Sequence, residues 1–270
     1  MSRSDQRVRM RHRHAGNYLI ISSLNASSAG GDCISVEAPD VELDLGGVAI
    51  TGPGLDSLPN TTGVHLTKKA RNAIVVGNGA RITGLSFGVV IEAEGASVGG
   101  FAATQDSTGV YVSFAKRCRV YDFDASGRDV GVQLVHSSGV ALENFTANDT
   151  GSDGLYLFGS SESRILSFQT NSNRGEGVFL EAGGCFAGNC REALALRNQV
   201  IGGTANENGY AGIMVVSFTN LVQPNSGDDQ FIGNTAIGNS VIDLSDGNPG
   251  CDHNLWFGNT FMTTDPPCIR

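Results

Sequence analysis

The chain has 270 residues, of which 37 are glycine, only 7 are proline and 17% are charged, a balance that points to many tight turns and excludes both disorder and long helices. Its 18 basic and 27 acidic residues give a net charge of -9, and five of the basic ones stand in the first fourteen residues. The remainder carries 13 basic against 26 acidic residues, which excludes a nucleic-acid partner by repulsion from the phosphate backbone.

No apolar run reaches the roughly 18 residues of a membrane span. In chain order, residues 1–15 come first, a basic leader with Arg3, Arg7, Arg9, Arg11 and Arg13. It lacks the apolar stretch of a signal peptide and is expected to be disordered, whether as a leader, an expression remnant or the stub of an export signal.

One domain, 16–270, follows, and it is organised by a recurring glycine, apolar, any residue, apolar pattern. The copies are Gly63-Val64-His65-Leu66, Gly88-Val89-Val90-Ile91, Gly109-Val110-Tyr111-Val112, Gly131-Val132-Gln133-Leu134, Gly154-Leu155-Tyr156-Leu157, Gly177-Val178-Phe179-Leu180 and Gly212-Ile213-Met214-Val215. Cys33-Ile34-Ser35-Val36 is a degenerate first copy, and Ser240-Val241-Ile242-Asp243-Leu244 a degenerate last one. Successive glycines from Gly63 to Gly177 are 25, 21, 22, 23 and 23 residues apart.

Phe123, Phe145 and Phe168 each fall fourteen residues after their unit's glycine, Phe101 thirteen after Gly88, and Asn148 and Asn171 three residues beyond their phenylalanines. Alternation with period 2 marks strands, and units of this length hold two or three short strands between Gly, Asn, Asp and Ser turns. Stacked, they form a parallel β-helix of about nine coils, phenylalanines inside and asparagines along a turn. The dense leucine array of leucine-rich repeats is missing, and propeller blades are longer.

Six cysteines divide by position. Cys185 and Cys190 close a short loop inside an insertion that stretches one unit to 35 residues, and a local disulfide is expected there, with a metal clip as the weaker reading. Cys251 and Cys268 bracket a segment with Trp256, Phe257 and Phe261, expected to be a disulfide-clamped cap on the last coil. Cys33 and Cys118 lie three coils apart, roughly 14 Å at 4.8 Å per coil, and are expected to be free. Two disulfides favour a secreted or periplasmic protein.

The Gly-Val-x-Leu strands, with the opening Cys33-Ile-Ser-Val-Glu-Ala-Pro-Asp-Val-Glu-Leu-Asp-Leu-Gly-Gly-Val-Ala-Ile-Thr-Gly sequence, resemble the right-handed parallel β-helix proteins of the pectate-lyase-like superfamily. The resemblance runs from about Gly16 to Arg270 and implies a right-handed coil. It spans lyases, polygalacturonases, epimerases, phage tailspikes and non-catalytic proteins, so it implies no single activity. The Asp-Pro-His-Asp motif of mannuronan epimerases and the Gly-His-Gly and Arg-Ile-Lys motifs of polygalacturonases are absent. Asp153-Gly154 is similar to the Asp-Gly of the polygalacturonase Asn-Thr-Asp-Gly segment, but Ser152 replaces its Thr, and no catalytic residue carries over.

In each motif the residue x faces outward, so stacking aligns His65, Val90, Tyr111, Gln133, Tyr156, Phe179, Met214 and Asp243 in one column. His65, Tyr111, Gln133 and Phe179 are the candidate substrate-binding residues, the aromatics as sugar platforms or as a ladder covered by a loop. Beside them Asp153 and Glu176, on adjacent coils, are close enough to share a proton, bind a cation or act as acid and base, against the alternative of solvated turn carboxylates. With Asp129 they form the candidate metal set, calcium being the fitting ion. Tyr156 and His136 are candidate bases. Lys68, Lys69, Arg71, Lys116, Arg117 and Arg119 mark a basic strip for a uronate carboxyl, or ordinary turn solvation.

Two functions follow as expectations: a polysaccharide-active lyase or epimerase on an acidic glycan, or a non-catalytic glycan-binding or surface protein, with a glycoside hydrolase as a further alternative.

Overall fold

In the computed structural model, residues 10–26, 30–54, 60–182, 195–217 and 226–269 are described. Two long parallel sheets run the length of the chain, one of eleven strands and one of twelve. The first takes its strands from the repeated motif: Gly31–Val36, Thr61–Leu66, Phe87–Ile91, Thr108–Ser113, Val130–Val135, Leu155–Phe158, Val178–Ala182, Ala211–Ser217 and Ile242–Asp246. The second carries the phenylalanines, in Ser97–Thr104, Arg119–Asp124, Ala141–Thr146 and Arg164–Gln169. Each strand pairs with its counterpart one coil on, so position within the coil becomes position along a ladder.

The register accounts for the glycine. A Cβ built on Gly131 would lie 2.6 Å from both the Ala147 Cβ and the Gly154 carbonyl oxygen, and one on Gly88 would lie 2.6 Å from the Ala103 Cβ and the Gly109 oxygen. Neither residue has a left-handed backbone. Space alone excludes a side chain, because the added methyl would meet the interior alanine of its own coil and the backbone oxygen of the next.

Inside, Phe101, Phe123, Phe145 and Phe168 stack with ring centroids 5.5, 5.0 and 5.9 Å apart, all buried. Gly203 ends the stack, since its Cβ would lie 2.2 Å from the Phe168 ring. At one turn Asn171 N–H donates to Asn148 Oδ1 and Asn206 N–H to Asn171 Oδ1. A second ladder passes from Thr150 through Asn173, Asn208 and Asn239 to Asp243, each carbonyl or carboxylate oxygen accepting from the backbone N–H one coil before or, at Asp243, from Asn239. Repeated side-chain acceptors thus satisfy turn donors that the sheets leave unpaired.

The ends differ from the sequence reading in two places. Met10–His12, within the segment expected to be a disordered leader, pairs with Gly31–Val36 as a first rung. Arg11 and Arg13 approach Glu37, and the His12 ring lies 4.2 Å from that of Tyr18, so charge and packing hold part of the basic segment on the sheet. Residues 1–9 lie outside the described residues.

At the other end Asp243 is not in the outward column. Met214 pairs with Ser245, and Ala211 with Ile242, which puts Asp243 opposite Gly212. There it is buried and accepts from Asn239, Met262 and Thr263 N–H groups, which hold its carboxyl below the usual range despite burial. Like Cys33 opposite Gly63, Asp243 carries a side chain at the glycine position, and its carboxylate takes the N–H groups of the segment that follows.

The Cys251–Cys268 disulfide forms, with α-carbons 6.2 Å apart, and closes the C-terminal cap. Trp256 stacks 3.9 Å over Phe231 and its Nε1–H donates to buried Asp246. Cys33 and Cys118 are free and buried, and burial, with Asp32 and Asp106 nearby, pushes the Cys33 thiol up to about 11. Cys185 and Cys190 lie outside the described residues.

Candidate functional site

Three rows of side chains face outward on the first sheet. The middle row is the motif's x position: Ser35, His65, Val90, Tyr111, Gln133, Tyr156, Phe179, Met214 and Ser245. Asp153 and Glu176 occupy the row just before the glycine, on adjacent coils. Two residues beyond x lies a third row with Glu37, Thr67, Glu92, Ser113, Val135, Phe158 and Glu181.

The central cluster joins all three rows. Asp153 Oδ1 accepts from the Glu176 backbone N–H at 3.1 Å, which pins the Asp153 carboxyl against the next coil. The Glu176 carboxyl is half-buried and pushed up to about 8, by burial first and then by hydrogen bonding to and the charge of Asp153. Burial and the neighbouring carboxyl thus favour the protonated form of Glu176. Tyr156 donates its hydroxyl to Glu181, and burial, that bond and the charges of Glu181 and Asp153 all push the phenol up. Tyr156 is thus held as a proton donor, whereas a base there would have to lose its proton beside two carboxylates.

Phe179 stacks on Tyr156 with centroids 5.3 Å apart and planes within 15°. Their facing surfaces are turned toward each other along the coil axis, so the pair offers outside mainly ring edges. Tyr111 is tilted 42° against Phe87 at 5.3 Å, and Gln133 stands between Tyr111 and Tyr156, half-buried.

The expected metal set does not converge. Asp153 lines up with Val130, one residue beyond Asp129, and Asp129 is exposed and accepts from the Ser107 hydroxyl on the preceding coil. Among the described residues no group of three His, Cys, Asp or Glu side chains is placed to hold a metal ion. His136 lies off the face, on the turn that follows its strand. It lies between Phe114 at 5.4 Å and Phe158 at 5.1 Å, away from the Asp153–Glu176 pair.

His65 belongs to a second cluster. Its Nδ1 lies 3.0 Å from Asp32 Oδ2 and its Nε2 3.4 Å from Glu92 Oε2. Burial lowers its pKa, but Asp32 and Glu92 outweigh burial, and the net shift is upward.

Sequence reasoning missed Glu181, Glu92 and Asp32 as partners, although a signal for the first two exists. Glu37, Glu92 and Glu181 all fall four residues after Cys33, Gly88 and Gly177, and each meets the x residue of the preceding coil: Arg11, His65 and Tyr156. The basic strip is divided: Arg117 pairs with Glu94, while Arg119 turns to Glu143 and lies 4.1 Å over the Tyr121 ring on the second sheet.

A coil of stacked parallel strands with carboxylates and aromatics on one outward sheet defines this protein as a β-helix with a long surface track. Residues 46–226 match the family described as right handed beta helix region, and the chain belongs to that family. No curated protein matches it in sequence.

Among solved structures, the Dettilon tailspike protein (gp208) shares 14% identity and a TM-score of 0.63 over 95% of this chain and 54% of its own. The present chain thus spans about half the length of that tailspike. A variant of the periplasmic alginate epimerase AlgG shares 11% identity, TM-score 0.63, over 94% of this chain and 76% of its own. The pectate lyase Pel9A shares 13% identity, TM-score 0.54, over 93% and 68%. At such identities the likeness is one of fold. No helix of the described residues is long and apolar enough to cross a membrane.

Proposed function

We propose that the protein acts on a polysaccharide lying along the outward face of the first sheet, with Asp153 and Glu176 as its acid–base pair. The observation that carries this reading is the Glu176 carboxyl, pushed up to about 8 beside Asp153, which makes it a proton donor at neutral pH next to a proton acceptor. The two carboxyls are in hydrogen-bonding contact, closer than the roughly 5–10 Å that separates acid and base in most glycosidases, so in a hydrolysis they act as one proton-sharing dyad. Glu176 gives its proton to the leaving oxygen as the glycosidic bond breaks, and the water whose oxygen joins the anomeric carbon returns a proton to the dyad. Tyr156, whose single hydroxyl proton is held by Glu181, offers its oxygen to accept a hydrogen bond from a substrate hydroxyl.

The alginate epimerase and pectate lyase among the structural neighbours support a uronate polymer as substrate and elimination or epimerisation as chemistry. Charge supports hydrolysis at the dyad: among the described residues, apart from Arg11 and Arg13, which approach Glu37, the three rows contain no Lys or Arg to neutralise a uronate carboxyl beside Asp153. The Cys251–Cys268 disulfide and the periplasmic neighbour support a location outside the cytoplasm.

The test is incubation with neutral and uronate polysaccharides, with calcium or a chelator, reading reducing ends and the ultraviolet absorbance of unsaturated sugars. New reducing ends without unsaturation, lost in Glu176→Gln, are expected. Unsaturated products would instead establish a lyase. Undiminished turnover in Glu176→Gln, or no turnover on any glycan, refutes the assignment.

A further inference from the structure

Four rungs from Tyr156 toward the N-terminus, or about 19 Å, the middle row of the same outward face reaches His65. Three coils meet there. Asp32 stands in the row before the glycine, as Asp153 does, and Glu92 in the row two beyond x, as Glu181 does. The imidazole lies between them, with Nδ1 3.0 Å from Asp32 Oδ2 and Nε2 3.4 Å from Glu92 Oε2. Each carboxylate thus spends one oxygen on the ring and keeps the other, Asp32 Oδ1 and Glu92 Oε1, without a partner among the described residues. Their side chains are 29% and 30% exposed, so the pair is not sealed from solvent.

Two hydroxyls flank the ring. Thr62 pairs in register with Asp32, and Ser35 with His65, on neighbouring strands. They are 7% and 5% exposed, and neither hydroxyl has a hydrogen-bond partner among the described residues. Polar groups this deeply buried are ordinarily paired. His65 Nε2, itself buried, approaches Glu92 without hydrogen-bond geometry and is a third group left over. Unpaired donors and acceptors gathered at one place on a surface are groups that a polar ligand satisfies.

Charge selects among polar ligands. His65 carries at most one positive charge against two carboxylates, and among the described residues no Lys or Arg lies within ion-pair distance of Asp32 or Glu92. The site keeps a net negative charge, which draws a cation and repels a uronate. On the dyad side Phe87 and Tyr111, half-buried with centroids 5.3 Å apart, add apolar surface for a sugar ring.

We propose that Asp32, His65 and Glu92 form a distal subsite that takes a sugar unit bearing a free ammonium group. The ammonium pairs with Glu92, and the sugar's hydroxyls meet Asp32, Ser35 and Thr62. The proposal rests on the reading of this face as a glycan track and deepens it, since the substrate is then an amino-sugar polymer held about four rungs from the dyad.

The experiment is calorimetric titration of the full chain at about pH 6, where amines are charged, with three tetrasaccharides: a glucosamine oligomer, its N-acetylated counterpart and an oligogalacturonate. The parent is expected to bind the amine probe about tenfold more tightly than the acetylated one, with the uronate weakest. Glu92→Gln, which keeps the shape and removes the charge, should abolish that preference. Glu176→Gln should retain it, so failure of the dyad assignment leaves this result readable.

Melting curves separate lost binding from lost fold, and in the unaltered protein the His65 ring resonances should move with the amine probe and not with the uronate. Equal binding of the acetylated probe, a preference surviving in a folded Glu92→Gln, His65 resonances that stay in place, or no binding of any probe by the parent overturns the proposal.

Discussion

Replacing Asp153 by Asn tests the dyad through its proton. Asn keeps an oxygen to accept the Glu176 backbone N–H, and its amide can donate to the Glu176 carboxylate, so the substitution stabilises the ionised form that Asp153 opposes. The Glu176 pKa should fall from about 8 toward 4.5 without reaching it, because burial, the largest cause, remains.

The sign for stability follows from linkage. A carboxyl raised in the folded state binds its proton more tightly there than in the unfolded chain, so its contribution is greatest below the unfolded pKa and is lost as pH rises toward 8. Allowing for the water that reaches a half-buried pair, that loss is about 1–3 kcal/mol. Buried Asp106 and Asp229, raised to about 7 and about 8, add losses of the same sign, so only the difference between parent and variant isolates Glu176.

Urea unfolding from pH 4.5 to 8.5, with carbon-13 detection of the glutamate carboxyls, reads both quantities. The parent should lose more stability across that range than Asp153→Asn. A Glu176 that titrates in the ordinary glutamate range in the parent, or at the same pH in both proteins, would refute the coupling.

Two other outcomes follow from the same physics. Gly131→Ala should destabilise by about 2–3 kcal/mol through overpacking, whereas Gly202→Ala, left-handed but with nothing within 4 Å of the added methyl, should cost about 1 kcal/mol; equal losses on denaturant unfolding would show that space is not what selects the motif glycine. His65 should titrate above 6.5 by proton NMR and shift down in Asp32→Asn, its contribution to stability being present below that range and lost as pH rises through it; an unchanged His65 titration in Asp32→Asn would remove Asp32 as its partner.

The repeat, the inward phenylalanines and the capping disulfide were legible because each is a property of one coil or of a short stretch of chain. Gly131 and Phe145 announce themselves by spacing, and the ladders add only that neighbours repeat the same choice. The degenerate end copies were read less well. Asp243 looked like an x residue because Ser240 stood in for a glycine, yet the register makes Asp243 itself the glycine's counterpart, as Cys33 is opposite Gly63. Met10–His12 looked like a charged leader because its partner, Glu37, becomes a neighbour only after the first coil closes.

The candidate site divides along the same line. That Asp153, Tyr156, Glu176 and Phe179 share one outward face follows from period-2 alternation and a constant repeat, which the amino-acid sequence alone determined. Which of them meet, and with whom, was decided by the tertiary structure: Tyr156 with Glu181, Asp153 with Glu176 but not Asp129, His65 between Asp32 and Glu92, His136 between two phenylalanines. The physical reason is that such contacts run across coils joined by turns of unequal length. A shift of one residue in a turn moves a carboxylate such as Asp129 off the row its neighbours occupy, while leaving the strand pattern on either side unchanged.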